Sequence, residues 1–309
     1  MADKRWAEAD IPELTGQTAV VTGASAGLGL QIARVLAERG AHVVLACRNV
    51  DKAEAAAERI DGSTAIVRLD LASLAAVHTA ADQIRAAYPR LNLLINNAGV
   101  MEVPYELTVD GFELTFATNH LGHFALTGLL LDRLVAVPGS RIVTTSSMAH
   151  LEGTVDFGDL QGERHYQPEK AYAQSKLANL LFTFELDRRL RAAGTAAVAV
   201  GAHPGVVYTD LFRTRSPWRQ AVLKPQLRVV NFWAVQNVRM GALPVLRAAT
   251  DRSANGGDYF GPRRYGLLRW FYTGYPAQVQ PSERARNAAD QARLWQASEQ
   301  LTGVTYALS

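Results

Sequence analysis

The sequence predicts an α/β fold built on a doubly wound parallel sheet with helices on both faces. Between residues 18 and 203, short apolar segments alternate with longer segments of helical periodicity. The short segments are continuously apolar, which is typical of strands buried on both faces, whereas half-exposed strands alternate apolar and polar residues. Regular alternation of strand and helix favours parallel strands joined by helical crossovers.

Each element follows from this alternation in chain order. Strands are expected at residues 18–22, 42–46, 64–69, 93–96, 141–146 and 196–203. Helices are expected at residues 27–39, 51–60, 73–88, 111–137, 172–193 and 291–301. Gly40 and Pro89 follow the first and third helices, where a left-handed residue or a missing N–H ends helical hydrogen bonding.

A single domain is predicted over residues 1–309, because the chain contains no repeat and no low-complexity linker. Residues 15–210 are expected to form the cofactor and catalytic core, residues 206–250 a lid over the ends of the strands, and residues 251–309 a C-terminal helical extension. The polar, glycine-containing segment 151–170 is interpreted as a loop inserted between the fifth strand and the next helix.

Composition argues against several classes of function. The formal net charge is +3 and no run of Lys or Arg occurs, so no nucleic-acid partner is expected. Cys47 is the only cysteine, which excludes an intrachain disulfide and a cysteine-based metal site. A single thiol suits a reducing compartment, and no metal site is predicted.

Neither the charged segment 1–14 nor the interrupted apolar segment 121–137 has the pattern of a signal peptide or a membrane span. A cytoplasmic protein is therefore expected.

A glycine-rich turn lies directly between the first strand and the first helix. It reads Thr-Gly-Ala-Ser-Ala-Gly-Leu-Gly over residues 22–29. Glycines there permit a tight turn and a close approach of the backbone to a pyrophosphate, which the free N–H groups of the helix N-terminus would bind. The position favours dinucleotide binding over an ordinary strand–helix connection. The expected contacts are Gly23, Ser25, Gly27, Leu28 and Gly29.

The end of the second strand bears on the choice of cofactor. Residues 46–49 read Ala-Cys-Arg-Asn, without the acidic residue that would bond the ribose hydroxyl of NAD(H). The Arg48 guanidinium would suit the 2′-phosphate of NADP(H), so NADP(H) is favoured over NAD(H); the alternative is an exposed loop arginine. Asp70, at the end of the third strand, is a candidate contact to adenine or, alternatively, the N-terminal cap of the following helix.

A tyrosine and a lysine are expected to share one helical face, since Tyr172 and Lys176 are four residues apart. A phenol has a pKa of about 10, and a neighbouring ammonium stabilises the phenolate, so the pair would form a proton donor and acceptor. Ser146 and Ser147 follow the fifth strand at the same edge of the sheet, where either hydroxyl could bond a substrate oxygen as it gains negative charge. Taken alone, the tyrosine–lysine spacing is also common on solvated surfaces.

Five motifs together resemble the short-chain dehydrogenase/reductase superfamily. They are the turn at 22–29, Asn96-Asn97-Ala98-Gly99 after the fourth strand, the serine pair after the fifth, Tyr172-x-x-x-Lys176, and Pro204-Gly205-Val206-Val207-Tyr208-Thr209 after the sixth. Their order and spacing cover residues 15–210. The resemblance implies a Rossmann-type fold and hydride transfer between a nicotinamide cofactor and an alcohol or carbonyl carbon.

The resemblance also implies a role for each matched residue. Tyr172 would be the acid/base, Lys176 would lower its pKa and bind the nicotinamide ribose, and Ser147, rather than Ser146, would polarise the carbonyl. Asn119 would support a proton-relay water near Lys176. The remaining matched residues would hold the cofactor: Asn97, Ala98 and Gly99 on its adenosine side, and Pro204, Gly205, Val207 and Thr209 near the carboxamide.

The distance along the chain between serine and tyrosine narrows the resemblance. Ser147 and Tyr172 are separated by 25 positions, whereas most members of the superfamily have a much shorter segment there. The longer spacing and the residues around both positions resemble the retinol-dehydrogenase-like and WW-domain-oxidoreductase-like branch, whose members often act on bulky apolar alcohols, aldehydes and ketones. A small apolar substrate is therefore expected. Candidate wall residues are Met148, Leu151, Tyr166, Val206, Trp218, Phe232 and Trp233.

Two other functions stay open from the sequence. One is a dinucleotide-binding sensor or scaffold without catalysis, since a fold does not by itself define function. The other is a sugar-nucleotide epimerase or dehydratase, although those relatives usually space their first glycines as Gly-x-x-Gly-x-x-Gly. Relatives often pair through the helices that carry Asn119 and Tyr172, which predicts a homodimer or homotetramer unless the loop at 151–170 blocks that contact.

Overall fold

The computed structural model describes residues 5–207, 236–263 and 273–308. Within these residues the chain forms one eight-stranded sheet. Its strands are β1 (Thr18–Thr22), β2 (His42–Cys47), β3 (Thr64–Arg68), β4 (Leu93–Asn96), β5 (Arg141–Thr145), β6 (Val198–Ala202), β7 (Tyr259–Pro262) and β8 (Pro276–Gln278). The order across the sheet is β3-β2-β1-β4-β5-β6-β7-β8, with β1 to β7 parallel and β8 antiparallel to β7. The predicted doubly wound α/β fold is confirmed.

Helices cover both faces of this sheet. They are α1 (Gly27–Glu38), α2 (Val50–Ala57), α3 (Leu74–Ala87), α4 (Gly122–Val135), α5 (Pro168–Ala192), α6 (Val238–Thr250) and α7 (Ala288–Thr302). One apolar core lies between the sheet and α1 and α6, and a second lies between the sheet and α3, α4 and α5. Val21 belongs to the first core and its neighbour Val20 to the second. Strand β1 is therefore apolar at every central position because both of its faces are buried.

The strand order reverses between β1 and β4, which are direct neighbours although β2 and β3 separate them in the chain. Val20 of β1 pairs with Leu94 of β4, so the two strands end at the same edge of the sheet. At such a reversal the crossover helices diverge and leave a crevice beyond the carboxyl ends of the strands. The turn at 22–29 and the Asn96–Gly99 motif therefore open into one crevice.

The helix expected at 111–137 begins later and is not uniformly α-helical. It starts with a turn at Leu114–Phe116, continues as a π-helix over Ala117–Leu121 and then becomes α4. The Glu113 carboxylate accepts the backbone N–H groups of Thr115 and Phe116, each at 2.7 Å, and so caps the start of this helix. Residues 111–113 consequently lie outside the helix, which the apolar periodicity alone did not predict.

Helix α5 begins at Pro168, whereas the sequence analysis predicted a start at residue 172. Proline is favoured in the first helical turn, where its missing N–H would have no partner, so Pro168 starts the helix rather than belonging to the loop. The inserted loop therefore ends at residue 167. Tyr166 joins the loop to the helix cap, because its hydroxyl lies 3.1 Å from Glu113 Oε1 and donates to the Val103 carbonyl at 2.9 Å.

The C-terminal part of the chain contributes strands as well as the expected helices. Strands β7 and β8 extend the sheet, but each is short and contains Gly or Pro, so neither has the composition of a typical strand. Residues 238–250, predicted to belong to the lid, form α6, which packs against α1, β6 and β7. This part of the predicted lid thus belongs to the core. Residues 208–235 lie outside the described residues.

Helix α7 and residues 303–308 lie across α4 and α5. Trp295 is almost fully buried, with its ring centroid 5.2 Å from that of Phe124 on α4 and 6.0 Å from that of Phe182 on α5. The Tyr306 hydroxyl donates to the Phe124 carbonyl at 2.6 Å. The outer surface of the two helices expected to mediate pairing is therefore covered by the same chain.

None of the helices in the described part of the chain is both long and apolar enough to span a bilayer.

Candidate active site

A cleft of about 460 Å³ opens at the carboxyl edge of the sheet, where the strand order reverses. It brings together nearly all the site residues predicted from the sequence. These are Gly23, Ser25, Gly27, Leu28, Gly29, Arg48, Asp70, Asn97, Ala98, Gly99, Ser147, Tyr172, Lys176, Pro204, Gly205 and Val207. Asn119 lies one layer behind the wall, and Thr209 lies outside the described residues. A more open depression of about 560 Å³ near Trp6 contains none of the motifs.

The glycine-rich turn is shaped by close backbone contacts. Gly23 and Gly27 have φ values of 68° and 54°, which a residue with a Cβ adopts only with strain. A Cβ on Gly29 would lie 2.3 Å from the Gly23 carbonyl oxygen and 2.7 Å from Asn97 Nδ2. The turn therefore has room only for glycine at this position. Helix α1 begins within the motif, at Gly27, so the unpaired N–H groups of its first turn face the cleft.

The Asn96–Gly99 motif fastens this turn to β4. Asn97 Nδ2 donates to the Thr22 carbonyl at 3.0 Å, and the backbone N–H groups of Asn97 and Ala98 donate to Thr22 Oγ1 at 2.9 and 3.0 Å. A Cβ on Gly23 would lie 2.9 Å from Ala98 Cβ, so the two motifs are in direct contact. The resemblance implied that this motif holds the cofactor on its adenosine side, and these contacts join it to the glycine-rich turn.

Two cations line the cleft beyond the end of β2. Arg48 and Lys52 are both exposed, and the Asn49 side chain between them caps α2 by accepting the Lys52 N–H at 2.8 Å. Lys52 was missed by the sequence analysis, although its position one helical turn after Arg48 could have indicated it. Cys47 also lines the cleft; its thiol is buried, and this burial raises its pKa.

Asp70 lies in the loop after β3 and lines the same cleft. Its Oδ1 accepts the Ala72 N–H at 3.0 Å in a short local turn. The cap of α3 is Ser73, whose Oγ accepts the Ala76 N–H at 3.3 Å. The alternative interpretation of Asp70 as the helix cap is therefore wrong.

Tyr172 and Lys176 lie one turn apart in α5 and face the cleft. Lys176 Nζ is 5.6 Å from the centroid of the Tyr172 ring and donates to the Thr145 carbonyl, at the end of β5, at 3.2 Å. Only 4% of Lys176 is exposed, and this burial lowers its pKa to about 8. The ammonium is thus still the main form at neutral pH, held next to the phenol ring.

Asn119 lies in the π-helical segment and is completely buried. Its Oδ1 accepts the Val100 N–H at 2.8 Å, while its Nδ2 donates to the Val100 carbonyl and to Ser175 Oγ, both at 2.9 Å. A Cβ on Gly99 would lie 2.9 Å from Asn119 Oδ1 and 3.5 Å from Lys176 Nζ. Asn119 and Lys176 therefore approach the same point behind the Gly99 backbone.

The two serines after β5 have different surroundings. Ser146 is buried and donates its hydroxyl to the Lys176 carbonyl at 2.7 Å, so it fastens β5 to α5. Ser147 is half-buried, and its Oγ accepts the Ala149 N–H at 3.3 Å, which leaves its hydroxyl proton available to another acceptor. Both residues line the cleft.

The segment after β6 closes the cleft on the side opposite β2. Gly205 has a φ of 71°, and Gln236 fixes the segment by donating its Nε2 to the Pro204 carbonyl at 2.8 Å. Apolar lining comes among others from Met101, Leu114 and Val207, of which the first two were not predicted.

The apolar wall expected from the sequence is only partly described. Leu151 is 44% exposed, and the Tyr166 hydroxyl is bonded to Glu113 and Val103 rather than directed at the cleft. Trp218, Phe232 and Trp233 lie outside the described residues.

A glycine-rich turn at the reversal of a parallel sheet, facing a tyrosine–lysine pair across one cleft, defines a nicotinamide-dependent oxidoreductase. The sequence model of the short chain dehydrogenase family matches residues 17–220, and the chain belongs to this family. The sequence-based resemblance is confirmed, and with it an oxidoreductase acting on CH–OH or C=O groups.

The relatives with the highest similarity include retinol dehydrogenases. The chain is 41% identical to human retinol dehydrogenase 13 over 299 residues, covering 94% of this chain and 86% of that protein. It is 40% identical to mouse retinol dehydrogenase 12, covering 95% and 89% of the two chains.

Solved structures agree with this assignment. An uncharacterized protein from Mycobacterium paratuberculosis is 43% identical and superimposes with a TM-score of 0.81 over 98% of this chain and 99% of that one. A Beutenbergia cavernae protein assigned as an NAD(P)-dependent gluconate 5-dehydrogenase, solved with NADP at low occupancy, is 26% identical, with a TM-score of 0.62 over 80% of this chain and 95% of that one.

Proposed function

We propose that this chain is an NADP(H)-preferring dehydrogenase/reductase that interconverts an alcohol and a carbonyl group in a small apolar molecule, with Tyr172 as the acid/base. The observation that carries the proposal is the buried Lys176 ammonium 5.6 Å from the Tyr172 ring, at the cleft that the glycine-rich turn also lines. The cofactor fits the residues present, because the positions of Gly23 and Gly29 admit no side chain. NADP(H), when bound, supplies or accepts the hydride.

Proton transfer is assigned to the Tyr172 hydroxyl. The Lys176 ammonium next to it favours the phenolate, which makes the hydroxyl a better donor in reduction and its conjugate base available in oxidation. Ser147 donates a hydrogen bond to the substrate oxygen as negative charge develops there. Ser147 is preferred to Ser146 for this role because the Ser146 hydroxyl already donates to the Lys176 carbonyl.

The preference for NADP(H) rests on the charge at the end of β2. Arg48 and Lys52 both line the cleft, and both are exposed with room to meet a phosphate. A guanidinium binds a phosphate with two parallel hydrogen bonds and an ammonium adds a point charge. The family member from Beutenbergia cavernae solved with NADP supports this choice.

The substrate class rests on the similarity to retinol dehydrogenases and on the apolar lining at Met101, Leu114 and Val207. We propose bulky apolar aldehydes and ketones and their alcohols. All-trans-retinal, decanal and acetophenone form a panel that varies length and shape around one reacting carbonyl.

Two measurements test the proposal. Fluorescence titration with NADPH and NADH in parallel should give tight binding of NADPH and weaker binding of NADH. Arg48→Ala and Lys52→Ala should each weaken NADPH by about tenfold and NADH much less, since each removes one phosphate contact. Arg90→Ala, an exposed arginine at the opposite edge of the sheet, is the control and should change neither. Equal losses for both cofactors would remove these cations as selectors.

Turnover of the aldehyde panel with NADPH tests the acid/base. Tyr172→Phe removes one oxygen atom and should abolish reduction while leaving NADPH binding largely intact. An active Tyr172→Phe protein would overturn the assignment. A wild-type protein that binds NADPH tightly and reduces no carbonyl compound would favour a sensor or scaffold instead.

A further inference from the structure

His123, in the first turn of α4, lies between the cofactor turn and Asn119 without reaching the cleft. It is 1% exposed. Its Nδ1 is 3.0 Å from the Asn119 carbonyl oxygen, and its Nε2 is 2.9 Å from Thr22 Oγ1 at the end of β1. One imidazole therefore joins the strand that leads into the glycine-rich turn to the π-helical segment that carries Asn119.

These two contacts fix the tautomer of the ring. A carbonyl oxygen only accepts hydrogen bonds, so Nδ1 must carry the proton that bonds Asn119. Nε2 then accepts the Thr22 hydroxyl at 2.9 Å, a shorter contact than the 3.3 Å from this hydroxyl to the Ile95 carbonyl oxygen. The Thr22 oxygen in turn accepts the N–H groups of Asn97 and Ala98. Burial, together with the nearby charge of Lys176, lowers the pKa of His123 to about 4, so the ring is neutral at physiological pH.

The hydrogen bonds continue from Asn119 to the acid/base. The Asn119 side chain donates to Ser175 Oγ at 2.9 Å, and Ser175 Oγ donates to the Tyr172 carbonyl at 2.8 Å. A single connected network thus runs from the residues that support the cofactor turn, through His123 and Asn119, to the turn of α5 that presents Tyr172.

We propose that His123 is a positioning residue, a neutral Nδ1–H imidazole that fixes the Asn119 backbone relative to the end of β1 and thereby holds the Tyr172 turn in register with the cofactor turn. The inference rests on the proposed acid/base role of Tyr172. The relative position of the Tyr172 turn and the cofactor turn matters because a displacement of a reacting group by about 1 Å can reduce a rate about a hundredfold.

His120 provides a matched control on the same segment. It is equally buried, and burial lowers its pKa to about 3, but its Nε2 is bonded to Ser298 Oγ on α7 at 2.8 Å, away from the cleft. The charge that acts on His123 is that of Lys176, from α5, and His123 in turn contributes to the lowered pKa of His120. Replacement of His120 therefore removes a buried imidazole of the same kind without touching the network.

Three variants separate positioning from packing. In His123→Asn the amide nitrogen takes the place of Nδ1 and still donates to Asn119. In His123→Gln the amide oxygen takes the place of Nε2 and keeps only the bond to Thr22. We expect kcat for the most rapidly reduced carbonyl compound of the panel to fall at least about tenfold in both His123 variants, because each breaks the link between β1 and Asn119 at one end, and to stay within about threefold in His120→Gln. The Kd for NADPH and the Tm should not follow this pattern. Wild-type kcat in either His123 variant, or an equal loss in His120→Gln, would overturn the proposal.

Two further measurements need no turnover, so they decide the inference even if none of the panel is a substrate. Nitrogen-15 NMR of the wild-type imidazole should find the proton on Nδ1 between pH 6 and pH 8; a proton on Nε2, or an imidazolium, would contradict the proposal. Hydrogen exchange of the Val100 amide, which donates to Asn119 Oδ1, should accelerate in both His123 variants and not in His120→Gln. Exchange at the wild-type rate in the His123 variants, or an equal acceleration in His120→Gln, would show that Asn119 does not depend on the link through His123.

Discussion

His150 donates its Nδ1–H to the carbonyl oxygen of Ser147, with 2.6 Å between the two atoms. Its Nε2 accepts the backbone N–H of Ser282 at 3.2 Å, and the Arg284 guanidinium donates to the Gly153 carbonyl at 2.9 Å. Ser282 and Arg284 lie between β8 and α7. The turn that carries the proposed catalytic serine is therefore held by a segment more than a hundred residues away in the chain.

Loss of the His150 imidazole is expected to reduce kcat more than cofactor binding. In His150→Ala both bonds are lost, so the Ser147 turn is less well fixed, and kcat should fall about tenfold or more. The Kd for NADPH should change little, because the turn after β5 is remote from the glycine-rich turn. His150→Asn keeps a donor near the position of Nδ1 and should retain more activity. Steady-state kinetics with a separate NADPH titration measures both; an alanine variant with normal kcat would contradict the expectation.

Gly29→Ala is expected to disrupt the cofactor turn. The added Cβ would lie 2.3 Å from the Gly23 carbonyl oxygen, a backbone atom that can move only with the turn itself. We expect NADPH affinity to fall at least about tenfold and the free energy of unfolding to fall by about 1–3 kcal/mol. Fluorescence titration and urea denaturation test this. Gly158→Ala is the control, since its nearest contacts are the ends of two side chains at 3.3 Å in the inserted loop. A Gly29→Ala protein that binds NADPH normally would show that the turn can adjust.

The buried Lys176 ammonium should make stability depend on pH in the alkaline range. Burial lowers its pKa to about 8, below its value of about 10.4 in an unfolded chain. Below pH 8 both states carry the proton, and the folded state bears the full penalty of the buried charge. Between pH 8 and about 10.4 only the unfolded chain keeps the proton, so the penalty, about 3 kcal/mol, is relieved as pH rises. Compared with Lys176→Met, cofactor-free wild-type protein should therefore gain relative stability over that range in urea denaturation. A constant difference between the two proteins would contradict this.

Buried neutral histidines should make the protein sensitive to acid. Burial lowers the pKa of His120 and His203 to about 3 and that of His123 to about 4. Below about pH 6.5 the unfolded chain binds protons that the folded chain does not, so each ring removes about 1.4 kcal/mol of stability per pH unit until its folded pKa is reached. Tm should fall steeply between pH 6.5 and pH 5, where carboxylates remain ionised. The slope should be shallower in His120→Gln than in the wild type, and identical slopes would refute the assignment.

The chain is expected to be monomeric, at least with respect to pairing through α4 and α5. Trp295 of α7 is packed between Phe124 and Phe182, so a second copy could use that surface only by displacing α7. Light scattering should give the mass of one chain. Trp295→Ala should lower the free energy of unfolding by about 3–5 kcal/mol, whereas Gln296→Ala, exposed on the same helix, should leave it unchanged. A dimer that survives Trp295→Ala would indicate pairing through another surface.

Local sequence determined the elements around the cleft. The apolar segments at β1, β4 and β5 are recognisable because burial on both faces requires apolar residues at successive positions. The glycines of the turn at 22–29 are recognisable from their spacing after β1, although contacts with Asn97 and Ala98 also require two of them. The Tyr172–Lys176 spacing follows from the helical repeat. Each of these features can be recognised within a short segment of the chain, which is why the fold class and the family were predicted correctly.

The tertiary structure decided what depends on distant partners. Strands β7 and β8 form because a sheet edge is available to them, not because their short Gly- and Pro-containing sequences favour a strand. In the sequence, His123 is an ordinary residue of an apolar segment and His150 an ordinary loop residue. The fold brings His123 within hydrogen-bonding distance of Thr22 and Asn119, and His150 within that distance of Ser147 and Ser282. The sequence by itself thus defined the fold, the family and the reacting groups, while the long-range contacts that hold those groups in position, and the covering of α4 and α5 by α7, arise only from packing between segments far apart in the chain.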